Sequence, residues 1–97
     1  MYKTILTGNL GADATVNQVN AQDGAPFNVI NMAVAVQLRK DVTQWVDCAF
    51  WRRAEQSIGV VDYLKKGQKV LLEGEVSADV WEGKPKLKMK ITNLELI

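Results

Sequence analysis

Residues 44–53 read QWVDCAFWRR, and the side chains along them fall into two alternating sets. A period of two is the period of a strand, so Val46, Cys48 and Phe50 point to one face and Trp45, Asp47, Ala49 and Trp51 to the other. Burying the first set leaves two indoles on the opposite face, about 20 Å apart at strand rise. Large aromatics left in the open require a partner. Either a second layer covers them, a neighbouring element or another copy of the chain, or they form a platform for flat ligands.

Similar patterning runs through the rest of the chain. Tyr2 to Leu10 is rich in Thr, Ile, Leu and Tyr and has no breaker before Gly8-Asn9, which predicts a first strand. Gly11 permits a sharp redirection, and Ala14 to Val19 continues as strand until Asp23-Gly24 and Pro26 mark a loop. From Phe27 to Leu38 the apolar parity starts odd, at Phe27 and Val29, and turns even at Met32, Val34, Val36 and Leu38. That reset predicts a β-bulge near Ile30-Asn31, and it places Asn31, Ala33, Ala35 and Gln37 away from the core. Arg39 to Thr43 is a short charged connection, so this strand and the one carrying Trp45 form an antiparallel hairpin.

Ala54 to Lys66 is the helix candidate. Ile58, Val61 and Leu64 recur near helical spacing, Lys65-Lys66 makes a cationic last turn and Gly67 a stop, with Gly59 opposing the helix by about 1 kcal/mol. Lys69 to Trp81 alternates again, Val76, Ala78 and Val80 inward against Glu75, Ser77, Asp79 and Trp81 outward. Glu82-Gly83-Lys84-Pro85 forms a turn, and the last strand sets Lys84, Lys86, Lys88 and Lys90 on one face and Leu87, Met89 and Ile91 on the other. Three strands, one helix and a two-strand hairpin predict an all-β fold with one helix, a five-stranded Greek-key barrel of the OB type. At 97 residues the chain is one domain, 1–97.

The sequence offers little for catalysis. It has no histidine, no metal-ligand spacing, no P-loop and no nucleophile elbow, so neither catalytic residues, a metal nor a cofactor is expected. Gly8-Asn9-Leu10-Gly11 resembles part of a phosphate loop but leads into a strand, so no helix dipole stands behind it, and a turn is its expected role. Cys48, the one cysteine, excludes an intrachain disulfide and has inward parity. No apolar run approaches the roughly 18 residues of a membrane span and none of signal type precedes the first strand, which points to a cytoplasmic protein.

For binding it offers much more. Trp45, Trp51 and Trp81 on outward faces, with Arg39, Lys40, Arg52, Arg53 and the lysine row nearby, combine stacking surfaces with phosphate partners. Stacking of a base on an aromatic contributes about 1–3 kcal/mol and accepts any base, so the arrangement suits single strands bound without sequence choice. The alternative for the lysine row is a solvated strand that guards a sheet edge.

Gly8-Asn9-Leu10-Gly11-x-Asp13, Trp45, Tyr63-Leu64-Lys65-Lys66-Gly67, Val70-Leu71-Leu72-Glu73-Gly74 and Trp81 follow one another in an order and spacing that resembles the bacterial-type single-stranded DNA-binding proteins. The resemblance runs through essentially the whole chain. It implies an OB fold, assembly into a homotetramer or a dimer, and coverage of single-stranded DNA in replication, recombination and repair in the bacterial cytoplasm, at the nucleoid. By position it gives base stacking to Trp45, Trp51 and Trp81, Trp51 standing where many members carry Phe or another apolar residue. Three departures qualify it. Glu75, Ser77 and Asp79 stand where the family usually has a basic alternation. Leu38 is the nearest apolar residue to a position often occupied by another aromatic. Up to Ile97 there is no flexible linker with the acidic tip through which members recruit replication and repair proteins. Two further readings stand beside this one: a primosome-type accessory protein, and an interaction module whose tryptophans are buried between copies.

Overall fold

A computed structural model describes residues 3–81 and 83–97; within these, the side chains of Asp79, Trp81, Lys84 and Pro85 are outside the description. The expected strand start at Tyr2 and the turn residue Glu82 also lie outside the described residues. The strands are β1 (Thr4–Leu10), β2 (Thr15–Asn20), β3 (Pro26–Arg39), β4 (Val42–Arg53), β5 (Lys69–Trp81) and β6 (Lys84–Leu96). They form one sheet in the order β1-β5-β6-β4-β3-β2, and a further pairing of β1 with β3 closes five of them into a barrel, with β2 lying outside the closure on the edge of β3. All pairings are antiparallel except β4 with β6. This is the Greek-key topology of the OB fold.

The interior is filled by one parity of each strand. Leu10, Ile30, Met32, Val34, Val46, Cys48, Val70, Leu72, Met89 and Ile91 are all buried, and of these Met32, Val34, Val46, Cys48, Met89 and Ile91 belong to the inward set read from alternation. Burial, with a smaller contribution from the charge of Asp47, pushes the Cys48 thiol up to about 12, so it is a neutral core group. Gly74 sits where the β5–β6 register shifts, and a Cβ there would run into the backbone carbonyl of Lys90; a side chain is excluded because the two backbones cross there closely.

Three expectations are corrected. The segment between β4 and β5 is not an α-helix over Ala54 to Lys66 but a 3₁₀ segment, Gly59–Tyr63. Ile58, Val61 and Leu64 are three residues apart, which is the period of a 3₁₀-helix as well as an approximate α period. The backbone bonds run accordingly from Val61 N–H to the Ile58 carbonyl and from Leu64 N–H to the Val61 carbonyl, each 3.0 Å, and Leu64 plugs one end of the barrel with no exposed surface. Gly59 and two β-branched valines after it leave little to favour a longer helix.

Second, no bulge interrupts β3 at Ile30-Asn31. Its register with β4 runs unbroken from Phe27 opposite Arg53 to Gln37 opposite Thr43, and the shift falls at the far end, between Gln37 and Arg39. The parity changes because β3 is apolar on both faces there: Ile30 enters the core while Val29, opposite Trp51, is buried on the outside of the barrel. Third, Leu38, Ala78 and Val80 have inward parity but are exposed, Leu38 to 59%, where β3 runs past its regular register with β4, and Val80 to 74%. The β5–β6 hairpin extends beyond the core as a two-stranded ribbon, where neither face is an inside.

The short motifs have a structural role in common. Gly67 N–H donates to the Leu10 carbonyl (2.8 Å), Leu10 N–H to Gln68 (3.0 Å) and Ala14 N–H to Leu64 (2.9 Å). Asn9 Nδ2 donates to the Gly67 carbonyl (3.0 Å), and Asp13 Oδ1 accepts from Lys66 N–H (2.8 Å). The Gly8-Asn9-Leu10-Gly11-x-Asp13 turn and the Tyr63-Leu64-Lys65-Lys66-Gly67 turn thus clamp one another and close the barrel where β1 passes from β5 to β3.

Candidate nucleic-acid interface

The outward parity of β3 and β4 builds a strip with an indole at either end. Trp45 is 53% exposed and lies across the ladder from Ala35; Trp51 is 42% exposed and lies across from Val29. Between them are Asp47 and Ala49 on β4, facing Ala33 and Asn31 on β3. The methyl groups of Ala33 and Ala49, with Ala35 opposite Trp45, leave that floor low, so flat groups have access to both rings.

Each indole is propped by a neighbour. A Cβ on Gly11 would lie 2.5 Å from Cζ3 of Trp45, so the ring rests over a residue that has no side chain to displace it. Phe27 meets Trp51 edge to face, centroids 5.7 Å apart at 70°, in the geometry aromatic pairs prefer. Read from the sequence, Phe27 and Val29 belong to the core set ahead of a bulge; their place on the outer face, supporting Trp51, appears only when β3 and β4 are paired without a break. Trp81 pairs with Lys84 at the tip of the ribbon, and its side chain is outside the description.

The cations divide by position. Arg39 and Lys40 are exposed at the β3–β4 turn and Arg53 is exposed beside Trp51. Arg52 has the opposite parity: its guanidinium stands 5.1 Å over the Phe50 ring and its Nε donates to the Ser57 carbonyl, so it is held at the barrel end and away from the tryptophan strip. Lys86 Nζ is 2.9 Å from Asp47 Oδ2. Lys90 is exposed opposite Glu75, Lys88 lies opposite Ser77, and Lys86 lies opposite Asp79 in the β5–β6 register. Lys84 has its backbone in β6 and its side chain outside the description. The lysine row is therefore not an isolated cationic stripe: the acidic positions of β5 flank it on one side and Asp47 on the other.

Surface depressions adjoin the strip, and one of about 340 Å³ lies on its floor, lined among others by Asn31, Ala33 and Asp47. A groove of about 630 Å³ runs from Trp51 and Ala49 to Glu75, Ser77 and Lys90. A smaller polar one of about 250 Å³ lies beside Trp45 and includes Thr7, Asn9, Gln37, Thr43 and Lys69. Thr7, Thr43 and Lys69 were not singled out from the sequence, whereas Gln37 has outward parity there and Asn9 belongs to a turn. These five residues come from four strands, β1, β3, β4 and β5, and the pairing of Asn9 with both Ala35 and Lys69 unites them.

Residues 1–96 match the single-strand binding protein family. The chain belongs to this family. Membership accounts for the ordered motifs and for the lack of a catalytic constellation, since this is a family of DNA-binding proteins and not of enzymes. Among solved structures, the single-stranded DNA binding protein of Thermus aquaticus is similar over all of this chain at 22% identity, with a TM-score of 0.72 for a deletion mutant and 0.68 for the wild type. The chain spans about two fifths of those proteins, 41% and 40%. A mitochondrial single-stranded DNA binding protein from S. cerevisiae matches 99% of this chain and is itself covered to 93%, at 18% identity and a TM-score of 0.67. At these identities the structural likeness establishes the OB fold, and the family match establishes kinship. Among the described residues no group of His, Cys, Asp or Glu is arranged to hold a metal ion, and no helix is long and apolar enough to cross a membrane.

Proposed function

We propose that the chain binds single-stranded DNA without sequence choice, stacking bases on Trp45, Trp51 and Trp81 and holding phosphates with lysine and arginine. In doing so it protects exposed strands during replication, recombination and repair. The observation that carries this reading is the pair of half-exposed indoles on one strand, each propped from behind, with a floor of alanines between them. Stacking is the dominant contribution, about 1–3 kcal/mol per base. Arg39, Lys40 and Arg53 are exposed beside the strip, while Lys86, engaged by Asp47, Lys90, across the ladder from Glu75, and Arg52, engaged by Phe50, contribute less; Lys84 and Lys88 complete the set.

The unit that binds is the single domain 1–97, assembled as a homo-oligomer, in our reading a tetramer, in a bacterial cytoplasm. Support for assembly comes from β2, an edge strand paired on one side with β3 and exposed at nearly every position, whose free edge can pair with a second chain. Titration of tryptophan fluorescence with oligo(dT) over a range of salt concentrations tests the reading. Strong quenching is expected, with affinity that falls as salt rises. Absence of quenching at low salt would overturn it in favour of a protein-interaction module.

A further inference from the structure

We propose that the groove beside Trp51 is a guanine-preferring subsite, in which Glu75 and Lys90 read the edge of a base stacked on the indole; the inference rests on the single-strand binding reading above and makes this one position an exception to its lack of sequence choice. Three strands supply the groove. Ala49 on β4 is in register with Lys90 on β6, and Lys90 is in register with Glu75 on β5, so the three positions lie in one row across the sheet. Trp51 stands two residues from Ala49 on the same face. Two strand spacings separate Ala49 from Glu75, about 10 Å, enough for a purine together with a hydrogen bond at its edge. The volume of the groove, about 630 Å³, admits the larger bases.

The chemistry selects among them. Glu75 is exposed and makes no ion pair among the described residues, so both carboxylate oxygens are open to donors. A carboxylate accepts best from two adjacent donors. Guanine alone presents two on one edge, N1–H and the 2-amino group, with the O6 acceptor next to them for the Lys90 ammonium. Cytosine and adenine offer one amino group, and thymine one ring N–H. Carboxylate and ammonium directly opposite each other on neighbouring strands, about 5 Å apart at Cβ, match that sequence of donors and acceptor.

The test compares oligo(dT) with strands of the same length carrying guanine or inosine at one central position, bound to the full chain and to Glu75→Gln. Inosine keeps the ring size and stacking of guanine and lacks only the 2-amino group. The expected result is about fivefold tighter binding with guanine than with thymine, at the low end for a bidentate pair because the groove is open. Most of the gain is lost with inosine, and all but the stacking difference is lost in Glu75→Gln, whose oligo(dT) affinity is retained or raised. Equal affinity for guanine and inosine, or an undiminished guanine gain in Glu75→Gln, overturns the subsite and leaves single-strand binding standing. Failure of every strand to bind would overturn both.

Discussion

Removing the carboxylates that face the lysine row should turn a shallow salt dependence into a steeper one. Asp47 is 2.9 Å from Lys86, and Glu75 lies directly across the ladder from Lys90. In the double variant Asp47→Asn/Glu75→Gln two ammonium groups lose a competing anion and become available to phosphates. Each phosphate neutralised on a single strand contributes about 0.7 to the slope of log affinity against log salt, so two lysines add about 1.4. Over a fourfold rise in salt, the variant then loses about sevenfold more affinity than the parent. The fold should not suffer, because an exposed ion pair contributes about 0–1 kcal/mol. Fluorescence titration with oligo(dT) at salt concentrations spanning that range gives both slopes directly, and thermal melting confirms that the variant is folded. An unchanged slope would refute the reasoning: either the DNA does not pass over the β5–β6 hairpin, or the lysines were never held back by Asp47 and Glu75.

The remaining predictions concern the indoles, the core and the thiol. Trp45→Ala should weaken oligo(dT) binding by about 1–3 kcal/mol with little change in melting temperature, since the ring is half exposed; a large loss of stability instead would mean it is a structural residue. Gly11→Ala places a methyl group in the space of the Trp45 ring, so the same titration should show weakened binding and altered tryptophan emission although no DNA-facing group has been removed. Leu64→Ala, at a position with no exposed surface, should cost about 2–5 kcal/mol and lower the melting temperature by about 10 °C or more, measured by circular dichroism. Burial raises the Cys48 thiol from its ordinary 9.0 to about 12, so only the unfolded chain gives up this proton just above pH 9. Its contribution to stability is full below about pH 9 and falls as pH rises from there towards 12, and Cys48→Ala should flatten that limb in denaturant titrations.

Much of the barrel was legible because alternation is a local property. Val46 and Cys48, like Met89 and Ile91, are buried as their parity requires, and the order of strands was sufficient for the OB topology. Where two periodicities coincide, local pattern is ambiguous: Ile58, Val61 and Leu64 satisfy a 3₁₀ repeat as well as an α-helical approximation, and barrel packing of Leu64 selects the tighter form. The parity of β3 misled in another way, because it was interpreted as one buried face that shifts. Trp51 and Phe27 make a second apolar patch on the outside, so both Val29 and Ile30 are buried with no bulge between them.

By itself the sequence determined most of the residues that face the core, the outward placement of Trp45 and Trp51, and the kinship of the chain, since each depends on residue type and spacing along a line. Only the tertiary structure decided what those outward groups meet. Lysines in a row on β6 read as a cationic stripe until the register sets Glu75 opposite Lys90 and brings Asp47 to Lys86. Trp45 over Gly11 and Trp51 against Phe27 are likewise contacts between strands distant in the chain. Electrostatic and stacking energies depend on distances across the sheet, and those distances are fixed only when the barrel closes and sets the register of every pair.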